Sequence, residues 1–79
     1  MSMNMSELAP GASGYISLLR IQGRQRHRLM ELGFLPGAEV KMLFAAASGD
    51  PIAYQVRGSV IALRGNDAAK IDLAEKRGG

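Results

Sequence analysis

His27 and Glu31 stand four residues apart, and Arg24 and Arg28 flank them at the same helical spacing. At about 100° per residue all four side chains fall on one face of a helix. Three chemistries suit such a face. An imidazole and a carboxylate can chelate a transition metal, an imidazole can move a proton, and guanidinium groups can hold an anionic surface. The first is limited by the inventory, because His27 is the sole histidine and there is no cysteine. A metal bound by His27 and Glu31 alone would be held weakly, or only at an interface. The second lacks partners. Arginines around His27 disfavour its protonation, and Glu31 is the one acid placed to orient it. The remaining carboxylates, Glu7, Glu39, Asp50, Asp67, Asp72 and Glu75, show no ligand spacing on a shared element. No glycine-rich phosphate loop is present. Neither a catalytic residue nor a cofactor is therefore assigned.

The third chemistry fits better. Arg20, Arg24, Arg26 and Arg28 are clustered in a chain of net charge +3. Helix N-termini prefer acids, and each exposed cation there costs about 0.3–1 kcal/mol. A local rule broken without visible compensation marks a candidate for function. The competing reading is a solvated face on which Glu31 pairs with Arg28 and His27. Nucleic acid is a poor match for the cations. The aromatic residues are Tyr15, Phe34, Phe44 and Tyr54; Phe34 is assigned to a helix end and Phe44 to the core, leaving two tyrosines, a poor stacking platform.

The face requires a helix, placed from Arg24 to Leu32 with Leu29 and Leu32 on its apolar stripe. It is too short to persist alone and must be held by packing. Gly33 stands where a left-handed residue closes the last carbonyls, and Phe34 should then fold back on Leu29. Pro36-Gly37 suits the centre of a type II turn. Alternating apolar residues predict strands at 15–21, 39–46, 52–56, 60–64 and 70–73, with Gly58-Ser59 and 65–67 as turns. Ala47-Ser48-Gly49-Asp50-Pro51 reads as a loop. The predicted fold is mainly β, a small, partly open barrel of about five antiparallel strands with one inserted short α-helix. One domain spans 6–73, with 1–5 and 74–79 as flexible termini. The N-terminus has neither an apolar run nor a basic leader, and no segment is long enough to span a membrane. A cytoplasmic location is expected, with membrane contact only indirect. Open strand edges make a homo-oligomer plausible.

The run from Arg28 through Leu29, Leu32, Gly33, Phe34, Pro36 and Gly37 to Val40 resembles the signature of the FeoA family, small cytoplasmic proteins of bacterial ferrous-iron uptake. A second block is similar in the same order: Gly49-Asp50-Pro51, Tyr54, Val56-Arg57-Gly58 and Ile61 to Arg64, then Asp67-Ala68 and Ile71. It departs from the family at Ala47, where many members have proline. The resemblance implies an SH3-like barrel, no catalytic residues, and an accessory role beside the transporter FeoB, whose cytosolic GTPase region would be the partner. It also extends to the C-terminal SH3-like domain of iron-dependent repressors, which implies the alternative of a metal-responsive or anion-binding barrel. Arg24, His27, Arg28, Glu31 and Gly49-Asp50-Pro51 are the candidate partner-binding residues.

Overall fold

The computed structural model describes residues 3–74. Six antiparallel strands form one sheet: β1 (Met3–Asn4), β2 (Ser13–Leu19), β3 (Glu39–Ala45), β4 (Ile52–Val56), β5 (Ser59–Leu63) and β6 (Ile71–Leu73). Their spatial order is β1-β6-β2-β3-β4-β5. Helix α1 (Gly23–Leu32) joins β2 to β3, and the single-turn helix α2 (Gly65–Ala68) joins β5 to β6. Among the described residues no helix is long and apolar enough to cross a membrane.

The core follows the two-residue period of the strands. Val40, Tyr54, Val56, Ile71 and Leu73 point inward and meet Met5, Ile16, Leu29 and Phe34 in one cluster. Tyr54 is its largest fully buried side chain, and its hydroxyl donates to the carbonyl of Met5 at 2.9 Å. Burial pushes the Tyr54 phenol up to about 12.

That bond corrects the expected flexible start. Met3 and Asn4 pair with Leu73 and Asp72, and a 3₁₀ turn at Met5–Glu7 buries Met5 completely. A capping box holds the turn: Asn4 accepts from the Ser6 amide at 3.0 Å, and Glu7 accepts from the Asn4 amide at 2.8 Å. Methionines spaced two apart offer no apolar run, yet one buried side chain and a short sheet pairing suffice. At the other end the Ala74 amide donates to the Tyr15 carbonyl at 2.7 Å. The expected flexibility of residues 1, 2 and 75–79 lies outside the described residues.

Three further corrections concern register and facing. Strand β2 begins at Ser13 and ends at Leu19, so Ile21 is buried after the strand. Phe44 is not in the core but 62% exposed. Met42 pairs with Tyr54 and Phe44 with Ala53, which leaves Leu43 as an extra residue in a bulge. The bulge flips the alternation and turns Phe44 to the outer face. The β4–β5 reversal is Arg57-Gly58, with φ of 52° and 81°, and Ser59 already belongs to β5. Two central residues at positive φ make the primed turn that suits a tight hairpin.

Candidate functional site

The two ends of α1 position the candidate face. At the C-terminal end Gly33 has φ 114°, and its amide donates to the Met30 carbonyl at 3.1 Å. The Phe34 amide donates to the Leu29 carbonyl at 3.0 Å, completing a Schellman closure. Phe34 and Leu29 are both buried in the core cluster. Leu32 is not: Leu29 is 4% exposed and Leu32 39%. The inward stripe runs through Arg26, Leu29, Met30 and Gly33, at i, i+3, i+4 and i+7, which leaves Leu32 at its edge. Beyond the cap, the Ala38 amide donates to the Leu35 carbonyl at 2.9 Å around Pro36-Gly37, as the predicted turn requires.

Gly33 is also covered. A Cβ there would stand 2.7 Å from Cδ of Arg57, so the aliphatic stem of Arg57 lies over the helix end. This contact joins α1 to the β4–β5 turn across residues distant in sequence, and no local signal could have revealed it.

The N-terminal end is open. Gln22 precedes the helix without a side-chain cap, and Gly23 has φ 67°. Arg24, His27, Arg28 and Glu31 are all exposed. His27 Nε2 stands 3.4 Å from Glu31 Oε2. Arg24 and Arg28 make no ion pair or side-chain hydrogen bond with another described residue. The other two arginines of the cluster serve the fold. Arg26 donates to the Leu19 carbonyl at 2.6 Å. Arg20 donates to both carboxylate oxygens of Asp72, at 3.0 and 2.8 Å, and to the Ala69 carbonyl at 2.8 Å. The hydrogen bond from Arg20 holds the Asp72 carboxyl below its ordinary range, and the same contact raises Arg20. A cluster of four cations in sequence is therefore a pair of cations on the exposed helix face.

The 49–51 loop is a different kind of site. Asp50 Oδ1 accepts from the Gly65 amide at 2.6 Å, at the first turn of α2, and Arg64 stands 3.7 Å from Oδ2. Ser48 donates to the Asp50 carbonyl at 2.9 Å. The carboxylate thus latches this loop to α2 and explains why 65–67, expected as a plain turn, is helical. Gly49 and Pro51 are exposed beside it. Asp50-Pro51 precedes β4 and Arg57 follows it, so the loop and the C-terminal end of α1 lie roughly 20 Å apart along that strand. The structure does not gather the loop and this helix end into one site.

Among the described residues no three His, Asp or Glu side chains converge as metal ligands. No buried side-chain polar atom there lacks a partner. An open cleft of about 580 Å³ crosses the outer face of β3 and β4, between Gly11, Ser13, Glu39, Lys41, Gln55 and Arg57. Phe44 and Val60 stand exposed on the same outer face, a patch that sequence alternation had turned inward at Phe44.

Comparison with known proteins agrees with this architecture. Residues 3–74 match the FeoA domain family. An Fe(2+) transport protein A/Fe(2+) transporter FeoB fusion protein from Porphyromonas gingivalis is 36% identical over 73 residues. The match takes in 90% of this chain and 8% of that protein's length. The solution structure of FeoA protein from Chlorobium tepidum is 34% identical with a TM-score of 0.85, covering 96% of this chain and 75% of that one. A zinc complex of FeoA from Stenotrophomonas maltophilia, described as a procaryotic SH3 domain protein, is 32% identical with a TM-score of 0.77, covering 91% and 89%.

Proposed function

This chain belongs to the FeoA domain family, a non-enzymatic, SH3-like accessory domain linked to ferrous iron transport, and from that premise we propose that it docks on the cytosolic region of a FeoB-type transporter. One observation carries the choice of partner. In the Porphyromonas gingivalis protein the matching segment is covalently part of a FeoB chain. Fusion fixes two partners at high effective concentration, and a separate chain must replace that tether with a surface. The surface proposed is the exposed face of α1. Arg24 and Arg28 are held near the positive end of the helix dipole, and His27 and Glu31 complete the face. Cations so placed favour an acidic partner surface and speed its encounter. Gly49 and Pro51 form a secondary contact, with Asp50 fixing the loop's shape. The setting is cytoplasmic, on the transporter's inner side, and the domain meets the membrane only through its partner.

The test is a binding titration of the transporter's purified cytosolic domain with wild type and with Arg24→Glu/Arg28→Glu. The double variant should bind at least tenfold more weakly at low salt, with the gap narrowing at high salt. Reversing Lys70, which is exposed and belongs to neither contact, serves as a charge-matched control and should matter less. Equal binding by the double variant would remove the helix face from the interface.

A further inference from the structure

The last strand in the spatial order is β5, with β4 on one side and no strand on the other. The Arg57-Gly58 turn has two residues, so Val56 and Ser59 close the hairpin as a hydrogen-bonded pair. Alternation makes Tyr54/Ile61 and Ile52/Leu63 the next such pairs. The N–H and C=O groups of Val60 and Ala62 therefore point away from β4. Among the described residues neither backbone finds a partner beyond the sheet.

Natural sheets blunt an edge of this kind with lysine, proline or a bulge. Strand β5, Ser59-Val60-Ile61-Ala62-Leu63, has none of these, and its register with β4 is unbroken. Val60 is 60% exposed and Ala62 is exposed on the same face, with Phe44 62% exposed two strands further in, beyond the buried Ala53. A cation stands at each end: Arg57 in the turn before the strand and Arg64 directly after it. The Arg64 side chain is 74% exposed despite its contact with Asp50.

We propose that β5 is a strand-addition site for an extended apolar segment of another protein, flanked at both ends by carboxylates. Main-chain hydrogen bonds to Val60 and Ala62 would supply the pairing, their exposed apolar face would take alternate side chains, and the two arginines would fix the ends. Charge argues against a second copy as the occupant. Antiparallel self-pairing centred on Ile61 sets Val60 of each copy against Ala62 of the other, and it brings Arg57 of each beside Arg64 of the other. Like charges so opposed are destabilising. A segment with acidic ends meets the same edge without that repulsion. This site is separate from the α1 face and does not depend on it.

The probe is an acetylated peptide, DEVTVTVED, titrated into the full chain and followed by amide NMR and hydrogen exchange. At saturation the Val60 and Ala62 amides should exchange at least tenfold more slowly, with much smaller changes at Ile61 and Leu63. The basic-ended peptide KKVTVTVKK should bind at least tenfold more weakly, and so should the acidic peptide when N-methylated at alternate residues along its pairing edge. Arg57→Asn/Arg64→Gln should weaken binding at least fivefold, while Arg24→Glu/Arg28→Glu should bind the peptide as wild type does. Ala62→Pro should abolish binding; should that variant not fold, the N-methylated peptide removes the same bonds from the other side. Equal binding of the two peptides, no binding of the acidic one, or protection away from β5 would overturn the proposal. So would concentration-dependent protection of Val60 and Ala62 without peptide, accompanied by dimers in sedimentation, which would identify a second copy as the occupant.

Discussion

The two ends of α1 are built on opposite rules. The C-terminal end is closed: Gly33 reverses the chain, Phe34 and Leu29 bury beneath it, and the stem of Arg57 covers it. The N-terminal end has no side-chain cap and carries exposed Arg24, His27 and Arg28 where the dipole disfavours them. A helix of ten residues cannot stand alone, so one end must anchor it. The closed end does that, and at the open end only Arg26 among the basic residues serves the fold, through the Leu19 carbonyl, while Arg24, His27 and Arg28 stay exposed. The difference separates positions where substitution should unfold the domain from positions where it should change only what the domain binds.

The largest expected effect breaks the closed end. Gly33→Ala places a Cβ at φ 114° and within 2.7 Å of the Arg57 stem. It should lose about 2 kcal/mol or more, read as a lower midpoint in chemical denaturation. Shortening the neighbour sharpens the claim. In an Arg57→Gly background, which removes Cβ, Cγ and Cδ and suits the φ of 52° there, the steric part should vanish, and the penalty of Gly33→Ala should shrink measurably in a double-mutant cycle. An unchanged Gly33→Ala midpoint would mean that the cap does not hold α1.

Next comes the Asp50 latch, which makes the 49–51 loop resemble the closed end more than the open one. Asp50→Ala leaves the Gly65 amide without its acceptor and should lose about 1–2 kcal/mol. Asp50→Asn keeps an acceptor oxygen and should lose less. If Asp50→Ala melts as wild type does, the carboxylate is free for a partner and the loop belongs with the open face.

The same contrast explains what could be read from sequence. Gly33, Pro36 and Gly37 act on their immediate neighbours, so cap and turn were legible from a few residues. The five longer strands followed from alternation, whereas the short β1, the spatial order of the strands and the burial of Tyr54 did not, because they are set by pairing and packing between distant segments. Phe44 was misplaced because a bulge at Leu43 is set by pairing with β4, not by β3 itself. Met5 was missed because its burial depends on Tyr54, 49 residues away. The Asp50–Gly65 latch and the Arg57–Gly33 contact are likewise long-range. On the candidate face the helical spacing of Arg24, His27, Arg28 and Glu31 was legible, whereas the use of Arg20 and Arg26 by the fold was not.

Tyr54 gives a pH test of the core that the open end should not share. Its phenol titrates near 10.0 when unfolded and at about 12 in the native domain. The native state holds the proton more tightly, so this contribution is fully present below pH 10 and is lost as pH rises toward about 12. Denaturation midpoints should fall across that window, and Tyr54→Phe should flatten the fall while losing about 1 kcal/mol at neutral pH with the bond to Met5. A slope unchanged in Tyr54→Phe would assign the alkaline loss to other groups.

The smallest expected effect concerns the open end, and its sign matters more than its size. Arg24 and Arg28 stand four apart in the first turns of α1, exposed and without an ion pair to another described residue. They repel each other and the dipole, each interaction being worth a few tenths of a kcal/mol in solvent. Arg24→Glu/Arg28→Glu replaces both repulsions near the helix start by attraction to the dipole, although the two introduced carboxylates still repel each other. The one introduced by Arg28→Glu would also face Glu31 three residues on, which offsets part of the gain. The net expectation is a thermal midpoint no lower than wild type, and higher by about a degree or two at low salt, with the gain disappearing at high ionic strength. A variant that folds as well as wild type yet fails to bind the transporter's cytosolic domain would show that the arginines are kept for contact at a small expense in stability. A clearly lower midpoint would mean instead that the open end supports the fold, and the division between the two ends of α1 would fail.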